Sequence, residues 1–464
     1  MRGPAAPLLA GGFLFTVGVA AFAAAPEGTP TMPAPPTPRR LVLCLDGTWN
    51  STYVQKQRGD GHRVLKPSNV LKLCRSVLPF DAASGREQVT YYDAGVGSMS
   101  EFPGTSNSLL QSADKLLGGA FGAGFESNIE EALTFLVHNL QPGDELFVFG
   151  FSRGAAEAQG LTRFLDWAGG LPAKGDAYYL PRFFRDYLAG RGTVAATEVR
   201  RAIDAEHAAE PRPKEPLAAF QPVDVAFLGL WDTVMALGSR FRAAGASTST
   251  ASRSFHVGAR PAVCVRHARQ ALAIDEARYD FRPEVWTGAH PAQTLAQRWF
   301  AGVHSNVGGG YVDDGLANLA FHWLLDEAAA QGLAVSDEFA GVYHGYAQDR
   351  LYRSESWFYR LLDGMRLRFG RGRRSLLQWP EAANLTLAVS VIHRIQADPA
   401  ERKPNGELRF PDLRQAYRPE NVLRFLACQG DLDAYLAGLG LADPGERVLP
   451  ADVLARLEVL RKEC

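Results

Sequence analysis

The sequence predicts an α/β protein with a mostly parallel sheet flanked by helices, and three observations carry that prediction. Short apolar runs alternate with helical segments, each run ends at a polar residue or a glycine, and one such end is the pentapeptide GFSRG at 150–154. Alternating strands and helices build parallel sheets, whose working groups gather at the strands' C-terminal ends.

Taken in order, RLVLCLD (40–46) is a buried-strand run broken by Gly47, the look of a strand entering a tight turn. QVTYYDAGVG (88–97) repeats the pattern, β-rich residues and then glycines. ESNIEEALTFLVHNL (126–140) places apolar residues at 129, 132, 133, 136, 137 and 140, a helical spacing. QPGDE turns the chain, LFVFG (146–150) returns as a strand, and RGAAEAQGLTRFLDWA reads as a second helix. VDVAFLGLWD (223–232) is a further strand ending in an acidic residue, and RWFAGVHSNVGGG (298–310) is another with glycines after it. Two stretches break the alternation. Residues 171–222, rich in charge and proline, are expected to be helices inserted over the sheet, and residues 339–380 are aromatic and basic.

A hydrophobic content of 46% and a charged content of 21% over 464 residues are those of a globular chain. Its 49 lysines and arginines against 50 acidic residues leave a net charge of −1, which gives no global pull toward nucleic acid. Arg2 precedes an uncharged apolar run that closes on Ala21-Phe22-Ala23, an A-x-A cleavage pattern. Residues 1–25 therefore read as a signal peptide or an N-terminal membrane anchor, and 26–39 as a proline-rich linker. An exported, periplasmic or membrane-anchored protein is expected, with a catalytic domain over 40–325 and a helical C-terminal part over 326–464. The five cysteines (Cys44, Cys74, Cys264, Cys428 and Cys464) show no C-x-x-C spacing, and Cys44 reads as a small core residue.

GFSRG fits G-x-S-x-G. A serine on a sharp strand-to-helix turn needs small residues two positions away on either side, so that strand and helix can pass. The turn exposes the hydroxyl, and the helix N-terminus brings a positive end to a developing oxyanion. Here the motif follows LFVF and precedes AAEAQGLTRFL, the strand–turn–helix setting that the α/β-hydrolase mechanism requires. The hydrolase order is serine, acid, histidine. Asp232 ends the run FLGLWD and His304 follows in AGVHSNVGGGY, both at strand ends from which a side chain can reach Ser152. His304 would then take the serine proton, and Asp232 would hold the imidazole's tautomer. His393 is a rival base and Asp275 a rival acid, with Asp224 behind it. His267, in CVRHARQALAIDE, has helical surroundings and reads as packed or solvated.

LVLCLDGTWN, YYDAGVG, GFSRGA, GLWDTV and GVHSNVGGGY, in that order, resemble the α/β-hydrolase domain of Tle1-type phospholipase effectors of bacterial type VI secretion. The resemblance covers roughly 40–325. It implies that Ser152, Asp232 and His304 form the triad. It also implies an oxyanion hole in which the backbone N–H of Arg153 is joined by that of Gly47 or Thr48. The alternative role for Asp46 and Gly47 is a capped turn, and Asp93 to Gly97 read as a tight glycine-rich turn near the site. An export signal departs from injected effectors and points toward an enzyme of the envelope.

The stretch containing Arg350, Arg353, Arg360, Arg366, Arg368, Arg371, Arg373 and Arg374 interleaves basic with aromatic and aliphatic residues. It is expected to act as a lid or lipid-contacting helix, or as an ordinary amphipathic helix with solvated arginines. The function expected is hydrolysis of a carboxylic ester in a lipid-like substrate, most specifically of phospholipase A type, with membrane-surface contact and no metal or organic cofactor. An acyltransferase or a short-chain esterase would use the same triad, and an inactive binding protein would lack part of it. Oligomeric state leaves no mark in the sequence.

Overall fold

Leu41, Leu43 and Leu45 of strand β1 (Arg40–Leu45) pack on one side of a sheet and Val42 and Cys44 on the other, all fully buried. A strand covered on both faces belongs inside a parallel sheet. In the computed structural model, β1 pairs in parallel with β5 (Arg86–Asp93) on one side and β6 (Glu145–Phe151) on the other. The structure describes residues 37–47, 55–57, 63–95, 120–212, 214–235, 257–278, 281–353, 374–379 and 381–464. The apolar N-terminal run, Thr48, the turn at Gly97 and the basic stretch from 354 to 373 lie outside them.

Among the described residues eight strands make the main sheet, in the order β10-β9-β8-β7-β6-β1-β5-β4. Strands β7 (Asp224–Trp231), β8 (Val265–Ala273), β9 (Thr294–Phe300) and β10 (Leu385–Leu387) continue in parallel beyond β6. Only β4 (Phe80–Asp81), at the far edge, runs antiparallel. A separate hairpin joins β2 (Gln55–Gln57) to β3 (Arg63–Leu65). The chain builds outward from β1 in one direction and then from β6 in the other. Strand order therefore reverses between β1 and β6, and the C-terminal ends of the strands at such a switch point are where open α/β sheets place their working groups.

One face carries helices α1 (Asn69–Ser76), α6 (His304–Gly308), α7 (Gly315–Ala329), α8 (Asp337–Gly341), α9 (Val389–Gln396), α10 (Glu420–Ala427), α11 (Leu432–Gly438) and α12 (Ala451–Leu460). Val70, Phe321, Ile392, Leu426 and Leu457 from these helices share one core with Phe147, Phe149 and Trp231 of the sheet. The other face carries α2 (Ala120–Asn139) and α3 (Arg153–Ala168), through Ile129, Leu133, Leu161 and Phe164. Helices α4 (Leu180–Gly190) and α5 (Ala196–Ala209) pack on α2 and α3 as an outer layer. Residues 38–464 form one unit, so the C-terminal helices belong to the same body as the sheet. Among the described residues no helix is long and apolar enough to cross a membrane.

Two local readings are corrected. VRHARQALA, which favours a helix by composition, is β8, and every residue from Ala268 to Ala273 is buried between strands β7 and β9 and the two helical layers. Tertiary burial overrides propensity there. The run from 298 to 310 is strand only to Phe300, and His304 begins a five-residue helix beyond it.

Candidate active site

Strand β6 delivers Ser152 into a turn with φ 59° and ψ −121°, a region glycine prefers and β-carbons resist. Helix α3 starts at the next residue. The two flanking glycines make the turn sterically feasible. A Cβ on Gly150 would lie 2.6 Å from the Ala155 Cα, and one on Gly154 would lie 2.5 Å from the Asp46 carbonyl oxygen. The turn is pinned by the Ser152 N–H donating to the Trp231 carbonyl at 3.0 Å. Ser152 is 8% exposed, so its side chain is largely shielded from water.

Asp232 follows β7 directly, also at positive φ (42°), and His304 opens α6 just after β9. The imidazole Nδ1 lies 2.6 Å from Asp232 Oδ2, and Nε2 lies 2.8 Å from Ser152 Oγ. An ionised carboxylate only accepts, so the proton on this pair sits on Nδ1, which leaves the Nε2 lone pair facing the serine hydroxyl. Burial lowers the His304 pKa from its ordinary value, and the Asp232 bond opposes that shift. Burial alone would push the Asp232 carboxyl up. The Arg374 charge and the His304 hydrogen bond outweigh it and hold the group well below the usual carboxylate range. Phe151 and Phe281 flank the imidazole at 4.7 and 5.0 Å between ring centres. The His304 N–H donates to Glu276 at 3.3 Å, and Glu276 is itself held by Arg278 at 2.9 Å.

The loop after β1 is tied down from three sides. Asp46 accepts from the Gly47 N–H at 2.6 Å, from the Ser68 hydroxyl at 2.5 Å and from the Tyr92 hydroxyl at 2.8 Å. The capped-turn geometry is therefore present, and the Gly47 N–H already has an acceptor. Thr48, the alternative donor, lies outside the described residues. The glycines after His304 serve close packing. A Cβ on Gly309 (φ 88°) would press on Ser68 and Asn69, and the Asn69 amide donates to the Val307 carbonyl at 2.8 Å.

None of the rival groups is hydrogen-bonded to Ser152 or to the His304 ring among the described contacts. Asp275 is buried but accepts from the Gly302 N–H and the Tyr417 hydroxyl. Asp224 begins β7 and pairs with Arg266 at 2.9 Å. His393 is exposed on α9, and His267 bonds Thr294 on the sheet. Arg374 departs from the reading of solvated or lipid-facing arginines. It is 3% exposed and grips the Asp232 carboxylate at 2.5 and 3.0 Å. Its place inside a basic run hid it, because composition does not separate one buried arginine from seven neighbours.

Fold and geometry together define an α/β-hydrolase-like protein with a serine at its strand–helix elbow, hydrogen-bonded through a histidine to a buried aspartate. Residues 39–327 match the catalytic domain of the Tle1-like phospholipase effectors of the T6SS, and the chain belongs to that family. Membership supports a lipid-hydrolase function. The chain is also similar to an uncharacterized protein of Saccharomyces cerevisiae, 25% identical over 252 residues, 54% of this chain and 33% of that protein. Among solved structures, an uncharacterized protein from Pseudomonas aeruginosa is 16% identical, with 92% of this chain and 62% of that one covered at a TM-score of 0.36. The Tle1 effector bound to the VgrG spike of the Type 6 secretion system is 20% identical, with 61% and 52% covered at a TM-score of 0.31. The chain thus spans a third of the yeast relative's length.

Proposed function

We propose that this protein is a serine hydrolase that cleaves carboxylic esters of lipid-like substrates, most specifically an acyl ester of a phospholipid, through Ser152, His304 and Asp232. The observation that carries the proposal is the unbroken chain from Ser152 Oγ through His304 to Asp232, with links of 2.8 and 2.6 Å between groups on the segments that follow three separate strands. Ser152 Oγ attacks the acyl carbon while His304 Nε2 takes its proton. The oxyanion forms at the N-terminus of α3, where the Arg153 N–H donates to it, and a second donor comes from the loop after β1, where the Gly47 N–H would first have to leave the Asp46 carboxylate. His304 returns the proton to the leaving alcohol, which departs. Water, deprotonated by the same histidine, then releases the fatty acid. Export is part of the proposal, and the Cys428–Cys464 disulfide supports it, since such bonds persist in oxidising compartments.

The test is hydrolysis of phospholipid vesicles by wild type and Ser152→Ala, read by mass spectrometry of the lipids. Fatty acid and lysophospholipid should appear with wild type and be absent with Ser152→Ala. Release of a head group, or equal product from both proteins, would overturn the proposal.

A further inference from the structure

We infer that Arg374 is a positioning residue of the active site, a fixed counter-ion that sets the orientation and ionisation of Asp232. The inference rests on the triad reading above and extends it to a residue beyond the matched span of 39–327.

The geometry is that of a fork closed on a carboxylate. One guanidinium nitrogen donates to Asp232 Oδ1 at 2.5 Å and the other to Oδ2 at 3.0 Å, with both side chains essentially free of solvent. The same two nitrogens reach the Ala273 carbonyl at 2.6 Å and the Phe281 carbonyl at 2.7 Å. The Nε atom is buried with no partner, so the group is placed to suit the carboxylate rather than to satisfy all its own donors. On the aspartate side, Oδ1 also accepts from the Ala273 N–H at 2.9 Å and Oδ2 from His304 Nδ1 at 2.6 Å. Each oxygen thus has two donors, which saturates the carboxylate. Rotation about its Cβ–Cγ bond would break all four contacts, so Oδ2 stays aimed at the histidine.

The charge has a second effect. A carboxylate with no exposure to water and no cation would take up a proton, because burial disfavours its charged form. A protonated Asp232 would donate to His304, the proton would move to Nε2, and the histidine would face Ser152 with nothing to accept its hydrogen. Arg374 prevents that tautomer. The other charged groups at this spot are Glu276 and Arg278, bonded to each other beside His304, and Asp275, held by Gly302 and Tyr417. None of these three is hydrogen-bonded to Asp232 among the described contacts. The C-terminal helices hold the arginine in turn, since the Asn421 amide of α10 donates to the Arg374 carbonyl at 2.9 Å and to that of Ile274 at 3.2 Å. The C-terminal part therefore supplies a component of the site.

The experiment measures the rate at which a fluorophosphonate labels Ser152 in the full chain, as a function of pH, for wild type, Arg374→Ala, Arg374→Lys, Asp232→Asn and the double variant Asp232→Asn/Arg374→Ala. Arg374→Ala should slow labelling at neutral pH by about 10²-fold or more, the lower range for loss of a positioned acid–base group. Its acidic limb should move to higher pH, whether Asp232 becomes protonated or stays ionised and holds the histidine's proton more tightly. Guanidinium at millimolar concentration should restore much of the rate, whereas a merely structural role would not be rescued. Once Asp232 is Asn, losing Arg374 should cost little, because a neutral amide needs no counter-ion. Arg374→Lys keeps the charge without the fork and should fall between wild type and Ala. It also carries the test if the Ala variant fails to fold. An unchanged acidic limb, or full additivity in the double variant, would overturn the inference. Absence of labelling at Ser152 in wild type would instead overturn the triad reading on which it rests.

Discussion

Ser152 occupies backbone that its own side chain disfavours, and this makes a stability experiment informative about the active site. At φ 59° and ψ −121° a non-glycine residue carries about 1–3 kcal/mol of strain. Ser152→Gly and Ser152→Ala both remove the hydroxyl and its bond to His304, but only glycine relieves the strain. Glycine also enters with greater unfolded-chain freedom, which offsets about 0.5–1 kcal/mol of the gain. The glycine variant should therefore exceed the alanine variant by about 0.5–2 kcal/mol. An unfolding entropy of about 2.1 cal/mol/K per residue gives roughly 0.9 kcal/mol/K for a unit of this size, hence a melting-point difference of about 0.5–2 °C. Differential scanning calorimetry of the two variants side by side resolves this. Both should be inactive, with Gly the more stable. Equal melting points, or a higher one for Ser152→Ala, would refute the claim that the elbow is held under strain for function.

Three further outcomes are expected. Because burial lowers the His304 pKa and His304 must be neutral to accept the serine proton, the acidic limb of kcat/KM on a soluble ester should lie below the ordinary histidine value of about 6.5. A limb above about 7 would contradict the site's electrostatics. Glu157 on α3 is buried with one oxygen unpartnered, and burial, with the Asp93 charge second, raises its pKa. Its folded form therefore keeps a proton that the unfolded chain gives up, so its contribution to stability is full below about pH 4.3 and declines as pH rises, by up to ~1.4 kcal/mol per unit until Glu157 itself ionises. Melting curves of wild type and Glu157→Gln should diverge between pH 5 and pH 8 in favour of Gln, and parallel curves would count against this. Thiol titration in denaturant without reductant should find the three free cysteines, Cys44, Cys74 and Cys264, and five after reduction. Five at the outset would exclude the Cys428–Cys464 bond.

What could be read from the sequence were patterns local to one element. The run RLVLCL is a buried parallel strand because nothing in it tolerates solvent on either face. GFSRG is legible because two glycines, a strand before and a helix after are all required within a few residues. Chain order and strand ends point to Asp232 and His304, and in the structure His304 lies within hydrogen-bond reach of both Asp232 and Ser152. What stayed hidden depends on distant partners. VRHARQALA is a strand only because two strands and two helical layers bury it. Arg374 meets Asp232 across 142 residues, and its burial is possible only with a carboxylate and two carbonyls waiting there. The Gly47 N–H, a candidate oxyanion donor by position, is already taken by the carboxylate of the residue before it, a detail that spacing cannot express.

The central claim is that Ser152 is a nucleophile activated by His304, and covalent labelling tests it most directly. The intact protein, treated with a fluorophosphonate at neutral pH and digested, should carry one phosphonyl adduct on the peptide containing Ser152. His304→Ala should label at a rate lower by about 10²–10⁴-fold. Labelling at another residue, or an undiminished rate at Ser152 in His304→Ala, would contradict the account.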